Sequence, residues 1–320
     1  MPLLRENSGA PSPEKIGALL VVLLPLVLLL AQVLGGVFAA PEAAAPANMG
    51  FGAPGLGAPG LETPGGAAAL GARPLIQIIH VVGDWAIRLL LLTLAVTPAR
   101  RLFNWPKLLL ARRTLGLGAA ALIGIHFLLY LVDTASLTTA AAEIALRIYL
   151  TIGFVALVAV AALAATSSDR ALRRLGGPRW KRLHRLVYPA TALALLHFFM
   201  QQKLDVTQPV LMTGLFFWLL GWRMMQRYGH GTGFIKLALL ALAAGLMTAL
   251  TEAGWYAVAT GIDPWRVLQA NLSVAYTISP GWWVAGAGLS VAALSALALR
   301  LRPLPARHAR RAEGRIQPDR

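Results

Sequence analysis

The sequence predicts an all-α fold, a polytopic transmembrane bundle of about eight helices with both termini in the cytoplasm. Three observations carry this expectation. The 320 residues are 57% hydrophobic and only 13% charged. Their apolar residues fall in runs of about 17 to 25, the length that crosses a hydrocarbon core of roughly 30 Å. The basic residues are sorted by side: 24 of the 29 Lys and Arg, with five acids, fall in the segments 1–15, 98–114, 167–185, 223–236 and 300–320. The intervening loops hold four bases (Arg73, Arg147, Lys203 and Arg266) against six acids. Positive charge gathers on cytoplasmic loops, which sets the orientation.

The apolar runs cover about residues 16–38, 75–97, 115–134, 146–166, 185–202, 208–222, 235–258 and 281–299. The first is followed by the Ala-rich stretch V-F-A-A-P-E-A-A-A, as a cleaved signal would be. Its apolar core exceeds the usual h-region of about 7 to 15 residues, so residues 1–40 are expected to be a retained helix. Residues 41–72 carry a tandem G-A-P-G-L and read as a flexible periplasmic linker without a core. Residues 73–223 form the expected helical core, in which the run at 208–222 is the shortest. Two additional transmembrane helices follow over 224–300, with Glu252 in an apolar run where it needs a partner or water, and Trp282 and Trp283 near an interface. Residues 301–320 form a basic cytoplasmic tail.

A net charge of +16 would suggest nucleic acid in a soluble protein. Here it is a topology signal that meets membrane lipid headgroups, and no nucleic-acid partner is expected. The chain has no cysteine, hence no disulfide, no iron–sulfur cluster and no thiolate ligand. Any redox role requires a cofactor.

The second run carries Gln77, His80, Asp84 and Arg88, whose spacing puts them on one helical face. Asp84 and Arg88 at i and i+4 can neutralise each other; alternatively Arg88 holds a haem propionate or a quinone oxygen. His80 reads first as a packed polar residue and is a reserve candidate for metal ligation.

At about 1.5 Å rise per residue, His80, His126 and His197 each lie about 9 to 10 Å from the periplasmic edge, in one layer. His184 lies about 20 Å below His197 on the same helix, among Lys181, Arg182 and Arg185 at the cytoplasmic boundary. An ionisable group inside a membrane is a functional hypothesis by default. Two imidazoles at matched depth on different helices suit the axial positions of a six-coordinate b-type haem, and the lack of C-x-x-C-H implies non-covalent binding. A proton-coupled transport site and merely packed histidines remain the alternatives. Zinc is disfavoured, because Asp84 is the only carboxylate in the layer.

Several stretches carry a resemblance: G-D-W-A-I-R-L-L-L-L-T-L-A-V-T-P (83–98), A-R-R-T-L-G-L (111–117), I-H-F-L-L-Y (125–130), R-I-Y-L-T-I-G (147–153) and W-K-R-L-H-R-L-V-Y (180–188). In this order they resemble the MsrQ (YedZ) family of haem-binding membrane subunits, within the ferric-reductase-like transmembrane superfamily, over roughly residues 75–223. The resemblance implies a multi-pass protein of the bacterial inner membrane that relays electrons without substrate chemistry of its own. They would come from the quinone pool, or from a cytosolic flavin reductase, and pass through haem b to a periplasmic MsrP-like molybdopterin enzyme that repairs methionine sulfoxide in proteins. It places the family's key histidines on His126, His184 and His197, and implies FMN, for which the residues themselves show no motif.

On this reading His126 and His197 are axial ligands of a periplasmic-side haem. His184 serves a cytoplasmic-side haem or the site where electrons come in. Arg112, Arg113, Lys181 and Arg182 are candidates for propionates or a flavin phosphate on that side, beside their role as topology signals. Ferric reductases and NADPH oxidases, which resemble this core, usually place two histidines on each of two helices. Here the residue thirteen before His126 is Arg113, so the haem count is one or two. Another ferric-reductase-like or quinol-oxidising cytochrome b is the alternative, and a transporter comes last, since no repeat with paired broken helices is visible. With about twenty residues after the last helix and no dinucleotide-binding context, oxidation of NAD(P)H by this chain alone is not expected.

Overall fold

Apolar runs with no strand-like alternation become helices because each backbone N–H and C=O then finds its partner within its own segment, as a membrane demands. A computed structural model describes residues 12–35, 74–202, 205–229, 233–274 and 277–301. The predicted linker at 41–72 and the basic tail, apart from Leu301, lie outside the described residues. In chain order the helices are α1 (Pro13–Leu34), α2 (Pro74–Leu102), α3 (Ala111–Thr134), α4 (Leu137–Leu146), α5 (Ile148–Ala165), α6 (Asp169–Leu175), α7 (Gly177–Leu183), α8 (Val187–Gln201), α9 (Thr207–Arg227), α10 (Phe234–Thr260), α11 (Pro264–Leu272) and α12 (Pro280–Leu301). Short 3₁₀ turns at Pro106–Leu110 and His184–Leu186 lead into α3 and α8.

Seven helical segments among the described residues are long and apolar enough to cross a membrane, where the sequence suggested about eight. The difference is α9, the predicted run at 208–222. It forms a helix of 21 residues but carries Gln208, Arg223, Gln226 and Arg227, and it lies inside the bundle. Its Val210, Phe216, Trp218 and Trp222 are buried, so protein rather than lipid surrounds much of it. Two short helices, α4 and α11, were not among the apolar runs. Each starts from a side-chain cap: Ser136 Oγ accepts from the Thr139 N–H, and Asp263 from the Trp265 N–H.

Four helices close a ring, with α2 against α3, α3 against α5, α5 against α8, and α8 back against α2. Helix α1 lies on α3, where Val22 fills the space left by Gly118. On the other side α9 joins the ring to the α10–α12 pair. That pair packs through small residues: a Cβ on Gly245 would stand 2.8 Å from the Gly281 carbonyl oxygen, and one on Gly288 would meet Ala241 and Trp218. Such close backbones gain dispersion contacts that lipid chains cannot supply, the usual means of helix association in a bilayer. Glu252 of α10 is 9% exposed beside Asn271 of α11, and its Oε2 has no hydrogen-bond partner among the described residues.

Candidate cofactor site

Helix α3 carries His126 and α8 carries His197, and the ring of four helices turns both side chains into one space. Their ring centroids stand 6.4 Å apart with planes crossing at 86°. Each imidazole is fixed from behind by the neighbouring helix. His126 Nδ1 lies 2.9 Å from the Ile79 carbonyl oxygen on α2, and His197 Nδ1 lies 2.8 Å from the Tyr149 carbonyl oxygen on α5. A carbonyl only accepts, so Nδ1 carries the proton and donates in both cases. In the neutral ring the other nitrogen, Nε2, then holds a free lone pair.

Each carbonyl is reachable because of a glycine four residues later. In a helix the Cβ of residue i+4 tilts back over the carbonyl of residue i. Gly83 follows Ile79 and Gly153 follows Tyr149 at that spacing. A Cβ on Gly83 would stand 3.0 Å from His126 Cε1 and Nδ1, and one on Gly153 would stand 2.7 Å from His197 Nδ1. The two halves therefore repeat one local arrangement, a helical carbonyl with a bare glycine one turn on.

The two imidazoles line a partly open cavity bounded by α2, α3, α4, α5 and α8. Its wall is largely aliphatic and aromatic, with Ile87, Leu90, Phe127, Phe154, Leu157 and Phe198 among the lining side chains. His80, His126 and His197, which the sequence places in one layer, all line this one cavity. Asp84 and Tyr130 line it too. His80 is exposed at its edge rather than packed.

At 6.4 Å between ring centroids, His126 and His197 are close enough that their Nε2 atoms would hold one metal ion between them. Among the described residues no group of three or more His, Cys, Asp and Glu gathers as a ligand set. What the cavity offers an iron is two neutral nitrogens and an apolar wall, which suits a metal whose equatorial ligands come with it.

His184 stands apart, some 20 Å down the same helical segment. It stacks on Trp180, with centroids 3.8 Å apart and planes 25° from parallel, and its Nε2 is 3.3 Å from Thr166 Oγ1. Trp180 Nε1–H donates to the Thr166 carbonyl at 2.8 Å, so the three residues join α7 to the end of α5. Arg112 lies close enough to act on the His184 ring and on Tyr188. Arg113 points elsewhere, donating to Asp169 Oδ1 at 2.7 Å. This pair holds the Asp169 carboxyl below its ordinary range, chiefly through the hydrogen bond from Arg113. Lys181 and Arg182 are exposed.

Arg88 is not part of the cavity wall. It donates to Gln208 Oε1 of α9 at 3.0 Å and lies over the Trp85 ring at 5.3 Å. The residues that sequence reasoning missed are Gly83 and Gly153. Both sat inside recognised motifs, but a glycine's role is visible only when its facing atom is known.

The family described as ferric reductase like transmembrane component matches residues 82–195, which contain the whole four-helix ring apart from its outer ends. The protein-methionine-sulfoxide reductase heme-binding subunit MsrQ of Xanthomonas campestris pv. campestris strain 8004 is 44% identical over 164 residues, covering 51% of this chain and 75% of that protein. The protein of the same name from Rhodospirillum rubrum is 40% identical over 158 residues, covering 49% of this chain and 76% of its own length. No solved structure matches. The family match over residues 82–195 and the identity across three quarters of these relatives agree: the chain belongs to the MsrQ family.

Proposed function

We propose that this protein is a haem b electron-transfer subunit of the inner membrane, carrying electrons from the quinone pool, or from a cytosolic flavin reductase, to a periplasmic molybdopterin methionine-sulfoxide reductase. The observation that carries it is the pair of Nδ1-anchored imidazoles 6.4 Å apart in an apolar cavity. His126 and His197 hold the iron through Nε2. Haem, when bound, supplies one-electron chemistry at a potential set by its ligands and surroundings.

The remaining work belongs to the chain. The carbonyls of Ile79 and Tyr149 fix the tautomer and raise the basicity of the ligands. The largely aliphatic and aromatic wall disfavours water, and with it stray proton transfer. On the cytoplasmic side, His184 with Trp180, Arg112, Lys181 and Arg182 forms the region where electrons come in, by a second haem or by the FMN that the family resemblance implies. The printed names of the relatives support a haem and a methionine-sulfoxide reductase system.

The test is a reduced-minus-oxidised absorption spectrum of the purified protein with a haem-to-protein ratio, followed by reoxidation of the reduced protein with a periplasmic methionine-sulfoxide reductase. A b-type spectrum that is reduced by quinol or a flavin reductase and reoxidised only when the molybdopterin enzyme has substrate supports the proposal. Haem that turns over without that acceptor points to another ferric-reductase-like or quinol-oxidising cytochrome b. Fully folded protein without haem overturns it.

A further inference from the structure

We propose that Gly83 and Gly153 are positioning residues that set the crossed orientation and the basicity of the two imidazoles; this rests on the haem reading above. Neither glycine touches the iron. Each acts through one histidine, by leaving a helical carbonyl uncovered.

In a regular helix the carbonyl of residue i accepts from the N–H of residue i+4 and keeps a second lone pair. With any other residue at i+4, the Cβ leans over that lone pair. Glycine removes the obstruction, so the Ile79 and Tyr149 carbonyls accept an imidazole N–H as well. The direction of each carbonyl then fixes the plane of its ring. Because α2 and α5 approach the cavity from different sides, the rings cross at 86° instead of lying parallel. The N–H···O=C bond also shifts electron density toward Nε2, which favours the ferric state and holds the potential down.

The two positions are unequal. The Gly153 Cβ would lie 2.7 Å from Nδ1 and 2.8 Å from Cε1 of His197, closer than such atoms ever stand, so the ring must move. The Gly83 Cβ would lie 3.0 Å from His126, a strain that a small shift relieves. Gly124, on the same α3 as His126, has nothing within 4 Å of an added Cβ and serves as a control.

Gly83→Ala, Gly153→Ala and Gly124→Ala are compared with the wild type by haem content, potentiometric titration and electron paramagnetic resonance. Crossed axial rings leave two iron d orbitals nearly degenerate and give a strongly anisotropic low-spin ferric signal; rings turned toward parallel give a rhombic one. The expected result is a higher midpoint potential and a more rhombic signal in Gly153→Ala, a smaller change of the same sign in Gly83→Ala, and none in Gly124→Ala. Loss of the hydrogen bond behind a metal-ligating imidazole costs about 10- to 100-fold in metal affinity, so Gly153→Ala is also expected to release haem more readily. If Gly153→Ala fails to accumulate, Gly83→Ala decides. Wild-type potential and signal shape in the variants that fold overturn the inference while leaving the haem reading in place. A wild-type protein that binds no haem overturns the haem reading itself.

Discussion

His126 and His197 face each other across the cavity at 6.4 Å, and each donates Nδ1–H to a backbone carbonyl of a different helix. This double anchoring would make the pair a preformed ligand set for the proposed haem. A preformed set loses little rotamer entropy on binding, so each member is expected to matter about equally.

Replacing either histidine with alanine is expected to remove the low-spin b-type signal, because a single axial imidazole cannot keep the iron six-coordinate. The haem-to-protein ratio and the reduced absorption spectrum of His126→Ala and His197→Ala check this. Unchanged haem in both variants would sink the ligand assignment.

His184→Ala is expected to behave differently. Its ring stacks on Trp180 about 20 Å from the paired imidazoles, so the cavity keeps its geometry. The variant should retain the haem held by the paired imidazoles, while reduction by quinol or a flavin reductase slows. Stopped-flow reduction measured beside static spectra separates the two effects. Loss of all haem would place His184 in the main site.

Arg223 ties three helices together. Its guanidinium donates to the Tyr188 hydroxyl, to the Leu219 carbonyl and to the Leu94 carbonyl, joining α9 to α8 and α2. Charged hydrogen bonds are worth about 1.5–3 kcal/mol each, and they are not additive; Arg223→Ala is expected to cost about 2–4 kcal/mol in total. Arg223→Lys should recover only part, since an ammonium cannot span three acceptors in a planar fork. Thermal unfolding in detergent, followed by tryptophan fluorescence, reads both.

The Arg113–Asp169 pair gives a pH signature. The folded-state carboxyl of Asp169 titrates below its unfolded value, so its contribution is present above about pH 4 and is lost as pH falls through the folded pKa. The difference in melting temperature between wild type and Arg113→Ala should therefore shrink as the solution is acidified from neutral toward pH 3. The pair is exposed, so the difference should also shrink in high salt. A gap that widens on acidification would show that Arg113 acts through something other than Asp169.

Helix existence and membrane class were legible in the chain because a bilayer allows few solutions: apolar runs of spanning length must be helices, and basic loops mark one side. The common depth of His80, His126 and His197 also followed from sequence, since rise per residue is constant along a helix. What length and charge could not reveal is azimuth. Whether Arg88 turned into the cavity or toward Gln208 depended on which face α2 shows to α9, and that is a property of packing. The interior place of α9 was hidden for the same reason, because a helix shielded by protein needs no uniformly apolar surface.

From the sequence alone came an all-helical membrane bundle, a layer of three histidines with a fourth far below, and a family pattern in the segments around them. The sequence reading already paired His126 with His197, and in the fold the two do face each other; only the tertiary structure decided that His80 sits at the rim and that Gly83 and Gly153 expose the carbonyls holding the rings. The reason is physical: depth in a membrane is additive along one chain, whereas a facing pair is created by two helices that the sequence places far apart and the packing of the ring brings together.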